Sequence, residues 1–83
     1  MPRPRSTVPA LKPLGQNIRA VRKHMGLYQK EFAELIGVSQ SVVCQWELAH
    51  TSPSAVHIMT ICYKCGVSAD DLLGVPRKWV KIK

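Results

Sequence analysis

The run Gln29-Lys30-Glu31-Phe32-Ala33-Glu34-Leu35-Ile36-Gly37-Val38-Ser39-Gln40-Ser41-Val42-Val43-Cys44-Gln45-Trp46-Glu47 decides how this chain folds. Its first half places Phe32, Ala33, Leu35 and Ile36 on one side of a short helix. Gly37 then supplies a residue able to take the left-handed backbone that ends such a helix. Ser39 follows as an N-cap, and Val43 with Trp46 forms an inward pair three residues apart while Gln40, Ser41, Cys44 and Gln45 face elsewhere. The reading is two helices, a tight turn, and a second helix whose outer face is polar.

Outward from this run the same periodicity continues. Leu14, Ile18, Val21 and Met25 recur at helical spacing, with Pro13 suited to a first turn and Gly26 to a stop, which predicts a helix from about Leu14. After a loop at 49–53, Ser54 caps a helix whose Ile58, Ile61, Cys62 and Cys65 form one stripe ending at Gly66. Ser68 and Asp71 make a start resembling a capping box, and Leu72 and Leu73 give a fifth helix its apolar contacts before Gly74 and Pro76 end it. Residues 1–13 hold four of the chain's six prolines and read as a basic N-terminal arm. Residues 14–75 form the domain, and 76–83 a basic tail in which Val80 and Ile82 alternate with lysines as a strand would. The expected fold is all-α, a compact body of five helices with flexible basic termini.

Eighty-three residues with three cysteines and a formal charge of +7 limit the possibilities. The body is large enough for one modest core. The odd cysteine count and the lack of an apolar leader argue against a secreted disulfide scaffold and for a reducing cytoplasm. No run is long and apolar enough to span a membrane. Arg3, Arg5 and Lys12 at one end, and Arg77, Lys78, Lys81 and Lys83 at the other, are unaccompanied by acids. Between residues 28 and 75, Lys30 and Lys64 are outnumbered by Glu31, Glu34, Glu47, Asp70 and Asp71. Such a surplus of cations attracts phosphate backbones.

Two helices joined by a Gly-containing turn, the second short and polar outside, match the helix-turn-helix unit, whose second helix fits a major groove about 12 Å wide. The quoted run strongly resembles the phage repressor and Cro-like (XRE) helix-turn-helix family. The likeness extends through Pro53-Ser54, Ile58, Ile61, Gly66-Val67-Ser68 and Leu72-Leu73, covering residues 14–74 in register with a five-helix, lambda-repressor-like fold. It implies Gln40 and Ser41 as readers of base edges, Gln45 as a further reader, and Gln29 as a phosphate contact at the positive end of helix two. It also implies a structural ion pair between Arg22 and Glu47. The wider set expected at DNA is Cys44 among the base contacts, and Tyr28, Ser39, His50, Thr51, Arg19 and Lys23 among the phosphate contacts. The implied function is a sequence-specific regulator of transcription, a repressor of bacterial or phage type, binding double-stranded DNA as a homodimer. The alternative is a protein-interaction module on the same fold, such as an antitoxin.

The chain departs from the family pattern at Tyr28, where a Ser or Thr cap is usual. Ala49 replaces a loop glycine, and His50, Thr51 and Ser52 stand in for the usual Lys, Arg or Asn. Cys62 and Cys65 with His57 lack a fourth ligand at suitable spacing, so they read as core residues and no metal or other cofactor is expected. Cys44 lies on the outer part of helix three, as a partly buried thiol open to oxidation at most. No nucleophile, base and oxyanion donors converge, so an enzyme is not expected.

Overall fold

The computed structural model describes residues 7–74, and Met1 to Ser6 and Val75 to Lys83 lie outside that range. So do the expected contributions of Arg3, Arg5 and the strand-like tail. Five helices follow a short 3-10 turn at Pro9–Leu11: α1 Lys12–His24, α2 Gln29–Ile36, α3 Gln40–Glu47, α4 Ala55–Cys65 and α5 Ala69–Leu73. The described residues contain no strand.

The N-terminal boundary falls earlier than the prolines imply. α1 begins at Lys12, two residues ahead of Leu14, and the segment before it is pinned to the end of α3. The Val8 amide donates to the Ala49 carbonyl at 2.8 Å, and the Thr7 hydroxyl to the Leu48 carbonyl at 3.2 Å. A proline-rich stretch has few donors to lose, so one amide and one hydroxyl suffice to seat it. The second half of the expected arm therefore belongs to the folded body.

Ile18, Phe32, Val43, Ile61 and Leu72 are the largest fully buried side chains, and together they bring all five helices to one core. Each contributes about 1.5–3 kcal/mol relative to exposure, as an upper estimate. α1 packs against α3 and α5, while α2 packs against α3 and α4. Two apolar expectations fail at helix ends. Met25 lies past the last turn of α1 and is exposed, Arg22 taking the buried place on that helix. Leu73 is also exposed, since α5 is too short to bury more than Leu72.

Serines organise three helix starts as their sequence positions predict. The hydroxyls of Ser39, Ser54 and Ser68 accept from the amides of Val42, His57 and Asp71 at 3.3, 3.3 and 3.1 Å. Asn17 on α1 performs the opposite service for α5, donating through Nδ2 to the Leu72 carbonyl at 2.9 Å and to the Asp71 carbonyl at 3.3 Å. Carbonyls at a helix end lack intrahelical donors, so this side chain both satisfies α5 and ties it to α1.

Candidate nucleic-acid interface

The turn between α2 and α3 is built on a single carbonyl. Ala33 accepts from the amides of Gly37 at 2.8 Å and Val38 at 3.0 Å, with Gly37 at φ 91°. That left-handed backbone is open to glycine without steric cost. Ala33 itself is buried in the core where α2 meets α3. Val43 and Trp46 then anchor α3 inward, and Trp46 meets the His57 ring of α4 at a centroid distance of 5.4 Å. With its inner face so occupied, α3 leaves Gln40 and Ser41 exposed and Cys44 and Gln45 half-buried.

Those four residues and Gln29 line one open depression of about 380 Å³. All four expected base contacts thus share a surface, together with one expected phosphate contact from the start of α2. The Ser39 hydroxyl accepts from the Val42 amide as the cap of α3, which leaves its O–H able to donate.

Behind this surface lies a charged network. Arg22 Nε donates to Glu47 Oε2 at 2.6 Å and Nη2 to Oε1 at 3.1 Å, while Nη1 donates to the Leu27 carbonyl at 2.9 Å. Gln29 Nε2 donates to Glu47 Oε1 at 3.2 Å. Both side chains of the ion pair are largely buried, and the Glu47 carboxylate beside it holds the Arg22 guanidinium above its usual range, against an opposing effect of burial. The network locks α1, the start of α2 and the end of α3 together. It also neutralises the one acid of α3, which would otherwise repel phosphate. Gln29 is consequently a strut as well as a surface group, a role its sequence position does not disclose.

The expected phosphate contacts divide between two further depressions. Tyr28 and Lys23 line one of about 370 Å³ with Arg22, Gly26 and Leu27. Arg19 lies in another of about 290 Å³, with Thr7, Lys12, Gln16 and the Glu47–Ala49 end of α3. Lys12, Gln16, Arg19 and Lys23 are all exposed, and their spacing of four, three and four places them along one side of α1. His50 and Thr51 sit half-exposed in the loop after α3, where the His50 amide donates to the Gln45 carbonyl at 2.9 Å. Tyr28 makes no side-chain cap. Its amide instead donates to the Glu31 carboxylate at 2.8 Å, half of a capping box legible in the acid three residues on.

Two contributors are not evident from the sequence. A Cβ built on Gly15 would stand 2.6 Å from the Trp46 carbonyl oxygen and 3.0 Å from that of Glu47, so this glycine lets α1 lie against the backbone of α3. A glycine within a helical pattern is its only signal. Gln16 is hidden because it is uncharged: it stands in register with Arg19 and Lys23, but an exposed glutamine gives no signal of its own. Ala49, at the position of the usual loop glycine, is buried and keeps the left-handed backbone, φ 61°.

Cys62 and Cys65 pack against the core, and burial, followed by the neighbouring Cys62, pushes the Cys65 thiol upward. Among the described residues no three His, Cys, Asp or Glu side chains form a set able to hold a metal ion. No helix among them is long and apolar enough to cross a membrane.

Residues 18–72 match the sequence model of the helix-turn-helix family. Over 61 residues the chain is 38% identical to antitoxin PezA of Streptococcus pneumoniae, covering 74% of this chain and 39% of the antitoxin. Over 60 residues it is 32% identical to repressor protein C2 of Salmonella phage P22, covering 72% of this chain and 28% of the repressor. The chain therefore spans well under half the length of either protein. It is 38% identical over 58 residues to YazB of Bacillus subtilis, an uncharacterised regulator of helix-turn-helix type, covering 70% and 84% of the two chains. The crystal structure of the P22 c2 repressor in complex with a synthetic operator superposes with a TM-score of 0.67 at 30% identity, covering 71% of this chain and 89% of that one. By its sequence match and its architecture, the chain belongs to the helix-turn-helix family of the phage repressor, Cro-like (XRE) type.

Proposed function

We propose that this protein is a sequence-specific double-stranded DNA-binding regulator of transcription, a repressor that acts by occupying its site rather than by chemistry on a ligand. The observation that carries the reading is the shared surface of Gln29, Gln40, Ser41, Cys44 and Gln45. Gln40 and Ser41, in the first turn of α3, reach base edges when that helix enters the major groove, and a glutamine amide pairs with adenine in bidentate fashion. Gln45 and Cys44 extend the contact one turn on. Lys12, Gln16, Arg19 and Lys23 flank the groove on one side, and Tyr28, His50 and Thr51 complete the grip on phosphate. Two copies related by a two-fold axis would read half-sites about 34 Å apart. The similarity to a repressor crystallised with its operator supports the same mode of docking.

Selection from randomised duplex pools, followed by gel shift on the enriched site, tests this directly. An enriched motif is expected, with Gln40→Ala or Ser41→Ala each weakening binding by about 1–3 kcal/mol and relaxing preference at one base position. If no motif emerges, or both variants bind as tightly as the parent, base readout by α3 is wrong. The similarity to PezA favours one second reading, a protein-interaction module on the same fold, such as an antitoxin. Co-purification of a partner from the native cell, without retention on any duplex, would select it.

A further inference from the structure

α4 turns a nearly uncharged side away from the core. Ile58, Ile61, Cys62 and Cys65 pack inward, while Val56, Met59 and Tyr63 are 68, 69 and 88% exposed. The exposed sides of α1, α2 and α5 carry two or more charges each, as solvated helices do, whereas Lys64 is the one Lys, Arg, Asp or Glu on α4. Val56, Met59, Thr60 and Tyr63 stand at i, i+3, i+4 and i+7, the spacing at which one helix meets another. The Thr60 hydroxyl donates to the Val56 carbonyl at 2.9 Å, so covering this side strands no donor there. The exposed stripe measures roughly 400 Å². Tyrosine and methionine with few charges is also the composition of an interface core.

We propose that this side of α4 binds the same side of a second copy, the two helices running antiparallel about a two-fold axis near Met59 and Thr60. The pattern is self-complementary about that point. Val56 meets the partner's Tyr63, and Met59 lies against the partner's Met59 and Thr60. Lys64 falls about 13 Å along the helix axis from its own copy, beyond a Debye length of about 8 Å, so the one charge does not oppose pairing. With Ala55 and the Lys64 stem at its rim, the contact approaches the roughly 600 Å² per partner of the smaller specific interfaces. Such a dimer is weak alone, and two half-sites on one duplex consolidate it. No residue of α4 lines the depression formed by Gln29, Gln40, Ser41, Cys44 and Gln45, so pairing leaves that surface open. The inference gives the two-fold dimer proposed above its contact, and rests on that reading for its use.

Sedimentation equilibrium of the full chain, without DNA and from roughly micromolar to millimolar concentration, tests the contact. Its outcome is independent of base readout, which the Gln40 and Ser41 variants examine. The parent is expected to pass from one chain to two across that range. Met59→Lys and Met59→Glu each set like charges face to face at the axis and should weaken association at least about tenfold. Mixing the two variants opposes lysine to glutamate and should restore it. Met59 is mostly exposed in the single chain, so both variants should keep their helices, as circular dichroism checks. A parent that stays monomeric throughout overturns the proposal. So does a Met59→Lys dimer as tight as the parent's, or a mixture that remains monomeric.

Discussion

Gly15 is the residue where least material carries most consequence. Its missing side chain lets α1 approach to the point where any Cβ would collide with the backbone oxygen of Trp46, an atom that cannot swing aside. Alanine would gain about 0.8–1.0 kcal/mol of helix propensity in an exposed helix. Here overpacking, typically about 1–3 kcal/mol, outweighs that gain. Gly15→Ala is expected to lower stability by roughly 1–2 kcal/mol in urea unfolding, and a stabilised variant would show that the two helices separate freely. The same scale explains the uneven legibility of the site. Gln40 and Ser41 declare themselves because a polar first turn after a serine cap is a local pattern. Gly15 depends on a carbonyl some thirty residues away, and no local pattern records it.

At the scale of elements, α3 is held as a lever by the network beneath it. Glu47 receives two bonds from Arg22 and one from Gln29, so it joins three helices at one carboxylate. Removing it leaves a largely buried guanidinium with a single carbonyl acceptor, Leu27. Breaking a buried pair in this way costs about 3–5 kcal/mol. Glu47→Ala should therefore unfold at much lower urea and, at temperatures where it is still folded, bind DNA more weakly because α3 and Gln29 lose their common anchor. Undiminished stability in Glu47→Ala would mean that packing around Val43 and Trp46 positions α3 unaided. The ion pair is legible in the sequence through the family resemblance. Its third member is not, because a glutamine at the start of a helix reads as a surface group until the opposite carboxylate is placed.

Across the whole molecule, charge and topology divide the work. The acids of the body lie on α2, α3 and α5, and the one on α3 is neutralised by Arg22. On the proposed function, the cationic stripe of α1 is the source of affinity for phosphate. Arg19→Ala and Lys23→Ala are each expected to weaken binding about equally on all duplexes and to reduce the steepness of log K against log salt by about 0.9 for every phosphate no longer neutralised. Measurement of the slope from about 50 to 200 mM salt on specific and random duplexes checks this, and an unchanged slope would remove these residues from the interface. The elements themselves are readable because caps, glycines and a 3.6-residue apolar period are short-range signals. The N-terminal boundary is not, for the converse reason: prolines suggest an arm, whereas Thr7 and Val8 are seated by carbonyls from the far end of α3.

The amino-acid order alone determined the five helices, the turn at Gly37 and the polar outer face of α3, since each depends on neighbours within about a turn of helix. Only the tertiary structure decided that Gln29 braces Glu47, that α1 approaches α3 through Gly15, and that five side chains share one depression. Those features depend on through-space distances between residues far apart in the chain, which helical periodicity does not encode.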